Sequence, residues 1–155
     1  MKLLDTNLWV FGTLGTNARA EQLLTDIERG EITSAINAYM IKEALAAFDR
    51  TPGLTGAERD EIRTLFLTRL SRMTGLVEAP ATGDLTESLL AERRANVHTQ
   101  LIAALTSIQP KDVPILVLAF SHRDREPTVL TNDSDFAAFT PSDHGLPRIR
   151  LEHVE

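Results

Sequence analysis

Thr128-Val129-Leu130-Thr131, followed by Asn132-Asp133-Ser134-Asp135-Phe136, reads as a short buried strand that ends among acids and turns into a brief helix around Phe136. Working outward, residues 1–4 read the same way: a short buried strand, terminated by Asp5-Thr6-Asn7, any of which suits the cap of a following helix. Between the two strands, residues 18–28 are helical and end near Gly30, a C-cap glycine. Residues 32–35 form a strand, 37–48 a helix closed off by Thr51-Pro52-Gly53, and 57–73 a further helix broken by Gly75. Residues 79–83 read as a loop and 85–106 as a helical region. Asp112-Val113-Pro114 opens a strongly apolar helix, with proline in the first turn, where its missing N–H costs nothing. An edge strand at 148–151 finishes the chain. Short strands alternating with helices imply an α/β fold, a three-layer sandwich with a central parallel sheet flanked by helices. In such sheets ligands gather beyond the carboxyl ends of the strands, where Asp5 and Asp133 stand.

At 155 residues the chain has the length of one ordinary domain, taken as residues 1–155. Its 43% hydrophobic and 25% charged residues match soluble globular proteins, which disfavours disordered, collagen-like and coiled-coil classes. The apolar run from Val113 to Phe120 is too short to cross a bilayer, and Asp5 interrupts any signal-peptide core. With no cysteine there are no disulfides and no cysteine-ligated metal. A cytoplasmic protein without membrane association is expected. The 22 acidic against 16 basic residues, a net charge of −6, argue against a generic basic nucleic-acid-binding surface. They say nothing about how charge is distributed locally.

The acids carry the functional reading jointly. Asp5, Asp112 and Asp133 each have a bland explanation as helix caps or turn residues. Thr6 and Asn7 compete for the cap that Asp5 would provide. Glu43 shares a helix face with Ile36, Tyr39, Met40 and Ala47, an otherwise apolar stripe expected to point inward, where a carboxylate is costly unless paired or bound to a cation. Its bland alternative is an edge position with the head group in water. Together, two neighbouring strands ending in Asp and two helices carrying acids toward the same crevice make a like-charge cluster, which a hard cation would neutralise. Carboxylate oxygens without cysteine or paired histidine favour Mg²⁺ or Mn²⁺ over zinc. His98, His122, His144 and His153 lack zinc-ligand spacing, and no Gly-x-x-x-x-Gly-Lys or Gly-x-Gly-x-x-Gly pattern occurs.

Four fragments, in order and spacing, resemble the PIN-domain family, of which the VapC toxins are members. They are Leu3-Leu4-Asp5-Thr6-Asn7, the helix bearing Glu43, Lys111-Asp112-Val113-Pro114-Ile115-Leu116, and Val129 through Phe136. The resemblance covers nearly the whole chain, although residues 78–110 are longer than in compact members. It implies a metal-dependent ribonuclease, frequently a homodimer, paired in the VapC case with an antitoxin protein. Asp5, Glu43, Asp112 and Asp133 match the family's metal-binding acids, Asp135 an accessory acid, and Thr131 a hydroxyl residue near the site. Asn7 falls in the same opening motif as an accessory group. Lys42, Arg123 and Arg125 are the candidate contacts to RNA, since Lys42 flanks Glu43 and the arginines lie at the far end of the Asp112 helix. With water as the nucleophile, products would carry 5′-phosphate and 3′-hydroxyl ends. Three alternatives stand beside this reading: a PIN nuclease that processes RNA without an antitoxin, a non-catalytic α/β binding module, and an aspartyl phosphoryl-transfer enzyme using Asp5 with Lys111 poised nearby.

Overall fold

Residues 1–79, 102–103 and 106–155 are described in this structure, a computed structural model. The loop expected at 79–83 and the helix expected at 85–106, with His98, lie almost wholly outside them. Strand β1 (Lys2–Leu4) runs parallel to β4 (Thr128–Thr131), with Leu3 opposite Val129 and Leu4 opposite Leu130. β5 (Arg150–His153) adds in parallel on the other side of β4, so β4 is central and β5 an edge. β2 (Ser34–Ala35) pairs in parallel with β3 (Leu76–Glu78), and the Lys2 N–H donates to Thr33 O at 2.9 Å, joining this pair to β1. The two central strands, β1 and β4, are three and four residues of largely apolar sequence, as strands covered on both faces must be: Leu3, Leu4, Val129 and Leu130 are at most 1% exposed. Each such side chain contributes about 1.5–3 kcal/mol of burial free energy.

Helix α1 (Thr6–Leu14) leaves the end of β1 and places Trp9 in the core, where its indole N–H donates to Leu4 O at 3.0 Å. That bond satisfies the one polar atom of the largest buried side chain and pins α1 to the strand that carries Asp5. α1 packs against α2 (Ala18–Glu28), α3 (Ala38–Arg50) and α4 (Gly56–Arg72). Asn17 and Asn37 cap α2 and α3 through their side-chain oxygens, and Thr55 with Glu58 forms a reciprocal capping box on α4. After α2 the chain turns at Gly30, whose φ of +75° suits glycine. α5 (Val113–Ser121) lies against β4 and α3, and α6 (Ser134–Ala137) against β4 and β5.

The strand β3 was not expected from the sequence. Gly75 does end the preceding helix, but its larger role is a close approach: its N–H donates to Ile27 O at 2.9 Å and its carbonyl accepts from Ser34 N. A side chain there would collide with the carbonyls of Ile32 and Ile27. The last strand also sits two residues later than expected, at Arg150–His153. No helix among the described residues is long and apolar enough to cross a membrane.

Candidate functional site

Asp5 follows β1 directly, and its N–H donates to Leu130 O at 2.8 Å, so it stands beside Thr131 at the carboxyl end of the sheet. Thr131 is fully buried and its hydroxyl works in two directions: it donates to Asp5 Oδ2 at 2.8 Å and accepts from Asp133 N at 3.0 Å. One hydroxyl therefore fixes the spacing between the two strand-end acids. Asn7 extends the same link on the outside, its side-chain amide donating to Asn132 Oδ1 at 3.1 Å.

Glu43 arrives from α3. The helix begins at Ala38, so Ile36 precedes it, and the buried face is centred on Met40, Ile41, Ala44 and Phe48. Glu43 is a half-buried residue at the border of that face rather than in its middle, which corrects the inward stripe expected from spacing. Thr6 Oγ1 donates to Glu43 Oε2 at 3.2 Å, and the Tyr39 side chain also hydrogen-bonds its carboxylate. Asp112 arrives from the turn before α5 and is 5% exposed. Asn37 ties these two helices together, since its side-chain amide donates to Pro114 O at 3.3 Å while its oxygen caps α3.

Capping separates the acids. Asp5 and Asp112 hold N-cap positions, yet neither carboxylate accepts a cap hydrogen bond. Asp133 does cap, with Oδ1 accepting from Asp135 N at 3.0 Å and Phe136 N at 3.1 Å. Its Oδ2 accepts from Lys111 Nζ at 3.1 Å.

The electrostatics tie the four acids into one group. Burial pushes Asp112 up to about 6, countered by the Lys111 charge and reinforced by Asp5, Asp133 and Glu43. Burial likewise raises Asp5, against the lowering effect of the Thr131 hydrogen bond, and raises Glu43, against the bonds from Tyr39 and Thr6. Asp133 is held below the usual carboxylate range by the Phe136 amide and then by Lys111. Burial is the largest single influence on Lys111 and works against its charge, but its bond to Asp133 and the charges of Asp112, Asp133 and Asp5 together outweigh it, so its ammonium is held above the usual lysine value.

The remaining candidates are spread more widely. Asp135 is exposed and, with Asp112, Phe136 and Phe139, lines an open groove of about 460 Å³ beside the cluster. Lys42 is exposed next to Glu43. Arg123 and Arg125 sit in the turn after α5, at the opposite end from Asp112 and at the amino end of β4. A nine-residue helix spans about 13 Å, so these two arginines are not brought to the acids. Arg123 instead donates to Phe120 O at 3.1 Å and lies over the Phe120 ring. The sequence offered Lys111 only as a lysine poised near Asp5 in the phosphoryl-transfer alternative, not as a partner of Asp133, and Thr6 and Tyr39 were not read as hydrogen-bond partners of Glu43. The i, i+4 spacing of Tyr39 and Glu43 was the one available signal for any of them.

The donor chemistry, oxygen-only and anionic, fits a hard divalent ion such as Mg²⁺ or Mn²⁺. As the side chains stand, no three His, Asp or Glu residues among those described close into a metal-holding group. The reason is visible in the bonds: Asp133 is committed to α6 and Lys111, Asp5 shares an oxygen with Thr131, and Glu43 is turned to Thr6 and Tyr39.

No protein-family model matches this chain, and no curated protein matches it in sequence. Among solved structures it is similar to a chain of the crystal structure of VapBC2 from Rickettsia felis bound to a DNA fragment from their promoter. The TM-score is 0.54 at 15% identity, and the match covers 99% of this chain and 98% of the other. At that identity the likeness speaks for architecture: this chain has an α/β fold with a central parallel sheet flanked by helices, shared end to end with a chain of that complex.

Proposed function

We propose that this chain is a divalent-metal-dependent endoribonuclease of the PIN-domain kind, acting as the toxin of a VapBC-type pair. The observation that carries the reading is the placement of Asp5 and Asp133 side by side at the carboxyl ends of β1 and β4, bridged by the Thr131 hydroxyl, with the buried, uncapped Asp112 and with Glu43 bearing on the same carboxylates. A structural protein gains nothing from burying Asp112 uncapped among three other acids. The end-to-end fold likeness to a VapBC2 chain supports the toxin–antitoxin assignment, as does the resemblance to VapC toxins. The net charge of −6 disfavours the DNA-binding side of such a pair.

In this reading Asp5, Glu43, Asp112 and Asp133 hold Mg²⁺ or Mn²⁺, with Asp135 as an accessory acid at the groove. A bound divalent ion supplies polarisation of a water and neutralisation of phosphate charge. Thr131 keeps Asp5 and Asp133 in register, and Tyr39 and Thr6 aim the Glu43 carboxylate. Asn7 braces the two strand-end loops. Lys42 contacts the RNA backbone beside the site, whereas Arg123 and Arg125 serve only an RNA long enough to run the length of α5. A second copy of this chain and an antitoxin protein are the proposed protein partners.

The competing non-catalytic module, whose acids merely cap helices, is favoured at Asp133 alone. The experiment is RNA cleavage with analysis of the product ends. Expected are Mg²⁺- or Mn²⁺-dependent products with 5′-phosphate and 3′-hydroxyl ends, lost in EDTA and in Asp5→Asn. Cleavage that persists in EDTA, or 2′,3′-cyclic phosphate ends, would overturn the assignment. Toxicity on expression, relieved by a neighbouring gene product, separates the toxin from an RNA-processing nuclease without an antitoxin.

A further inference from the structure

On the metal-dependent reading above, we propose that Lys111 is the resident counter-cation of the acid cluster: its ammonium holds the place a divalent ion takes, and ion binding must expel it. Lys111 lies in the 3-10 turn Pro110–Asp112, so its backbone is fixed one residue from Asp112, while its side chain reaches across to the β4–α6 loop. There Nζ meets Asp133 Oδ2 at 3.1 Å. The other oxygen of Asp133 is taken by two backbone amides of α6. The oxygen that Lys111 occupies is therefore the one that Asp133 has to offer a metal.

The ammonium also acts on every other member of the cluster, its charge bearing on Asp5, Glu43 and Asp112 as well as Asp133. A single positive charge facing four carboxylates has the electrostatic position of a bound ion, without a bond to each ligand. It lets the acids stay close in the metal-free protein, where their repulsion would otherwise spread them. Withdrawal is easy, because the Lys111 side chain is 46% exposed and its long stem can swing into water. Metal affinity is thus set by competition: the divalent ion must gain more from the carboxylates than the ammonium loses.

The test is calorimetric titration of metal-stripped protein with Mn²⁺ alone, comparing wild type with Lys111→Met, Lys111→Gln and Lys111→Arg. The two neutral variants are expected to bind Mn²⁺ about tenfold more tightly, equivalent to about 1.4 kcal/mol of relieved competition. Lys111→Arg, which keeps the charge, is expected to bind as wild type does. The metal-free neutral variants are also expected to melt below the wild type, and to regain that loss on adding Mn²⁺. If wild type binds Mn²⁺ and the neutral variants bind it no more tightly, the role of Lys111 is overturned while the metal-site reading stands. Unchanged Mn²⁺ affinity with weakened RNA binding would make Lys111 a substrate contact instead, which also overturns the proposal. If no form binds Mn²⁺, the metal-dependent reading itself falls.

Discussion

Replacing Asp112 by Asn should make the metal-free protein more stable, in a pH-dependent way. Asp112 is 5% exposed, accepts no cap hydrogen bond, and is surrounded by Asp5, Asp133 and Glu43, so its carboxyl titrates at about 6 in the folded chain against 3.8 when free. Between those two values the folded protein binds a proton that the unfolded chain has released. Stability therefore falls as pH rises from about 4 to about 6, and the penalty persists at higher pH. At 1.36 kcal/mol per pH unit the ceiling is about 3 kcal/mol. Water at the mouth of the cleft screens part of this, leaving about 1–2 kcal/mol. For a chain of this length that corresponds to a melting temperature higher by about 3–6 °C. Denaturant titrations of both proteins in EDTA, at pH 4 and pH 8, measure it directly. Asp112→Asn should exceed wild type at pH 8 and match it at pH 4, while losing all cleavage and all stabilisation by Mn²⁺. A variant less stable than wild type at pH 8, or a gain independent of pH, would refute the placing of a strained carboxylate there.

Other perturbations follow from single bonds. Thr131→Val keeps the buried shape but removes the hydroxyl between Asp5 and Asp133, and should cost about 1–3 kcal/mol with a larger loss of cleavage than of stability; Thr131→Ser should restore both. Asn37→Ala removes the α3 cap and the tie to Pro114 O, for about 1–2 kcal/mol in denaturant titration and a lowered metal affinity as Glu43 drifts from Asp112. Trp9→Phe leaves Leu4 O without its indole donor and should lower stability by about 1–3 kcal/mol. Gly75→Ala must push apart the Ile27 and Ile32 carbonyls and should destabilise by more than about 2 kcal/mol, read as a drop in melting temperature.

The residues that were legible in the sequence are those whose signal is local. β1 and β4 are apolar runs cut off by Asp5 and Asn132, and the caps at Asn37 and Asp133 are written in the residues that make them. β3 is three residues long and pairs only because Gly75 lets the chain approach Ile27, which no periodicity reports. The face of Glu43 was misplaced by counting Ile36 into the stripe, although it lies two residues before the helix begins at Ala38; at 100° per residue, that brings a loop side chain into the face. That the strands ending in Asp5 and Asp133 are neighbours was an inference from strand order, and β1 does pair with β4. Lys111 was placed near Asp5 by the phosphoryl-transfer alternative, but its actual partner was hidden for a different reason. Its neighbour in the chain is Asp112, yet its hydrogen bond is to Asp133, reached only after α5 and β4 return the chain to the same edge. Arg123 and Arg125 were read at the far end of the Asp112 helix, and α5 does carry them to the opposite end of the sheet from the acids.

The most direct measurement is a crystal of the protein soaked in Mn²⁺ and examined by anomalous diffraction. A single strong peak, or a close pair, is expected, with oxygens of Asp5, Glu43, Asp112 and Asp133 drawn in around it and the Lys111 ammonium moved away from Asp133. No peak between these carboxylates under saturating Mn²⁺, with Lys111 still on Asp133, would contradict it.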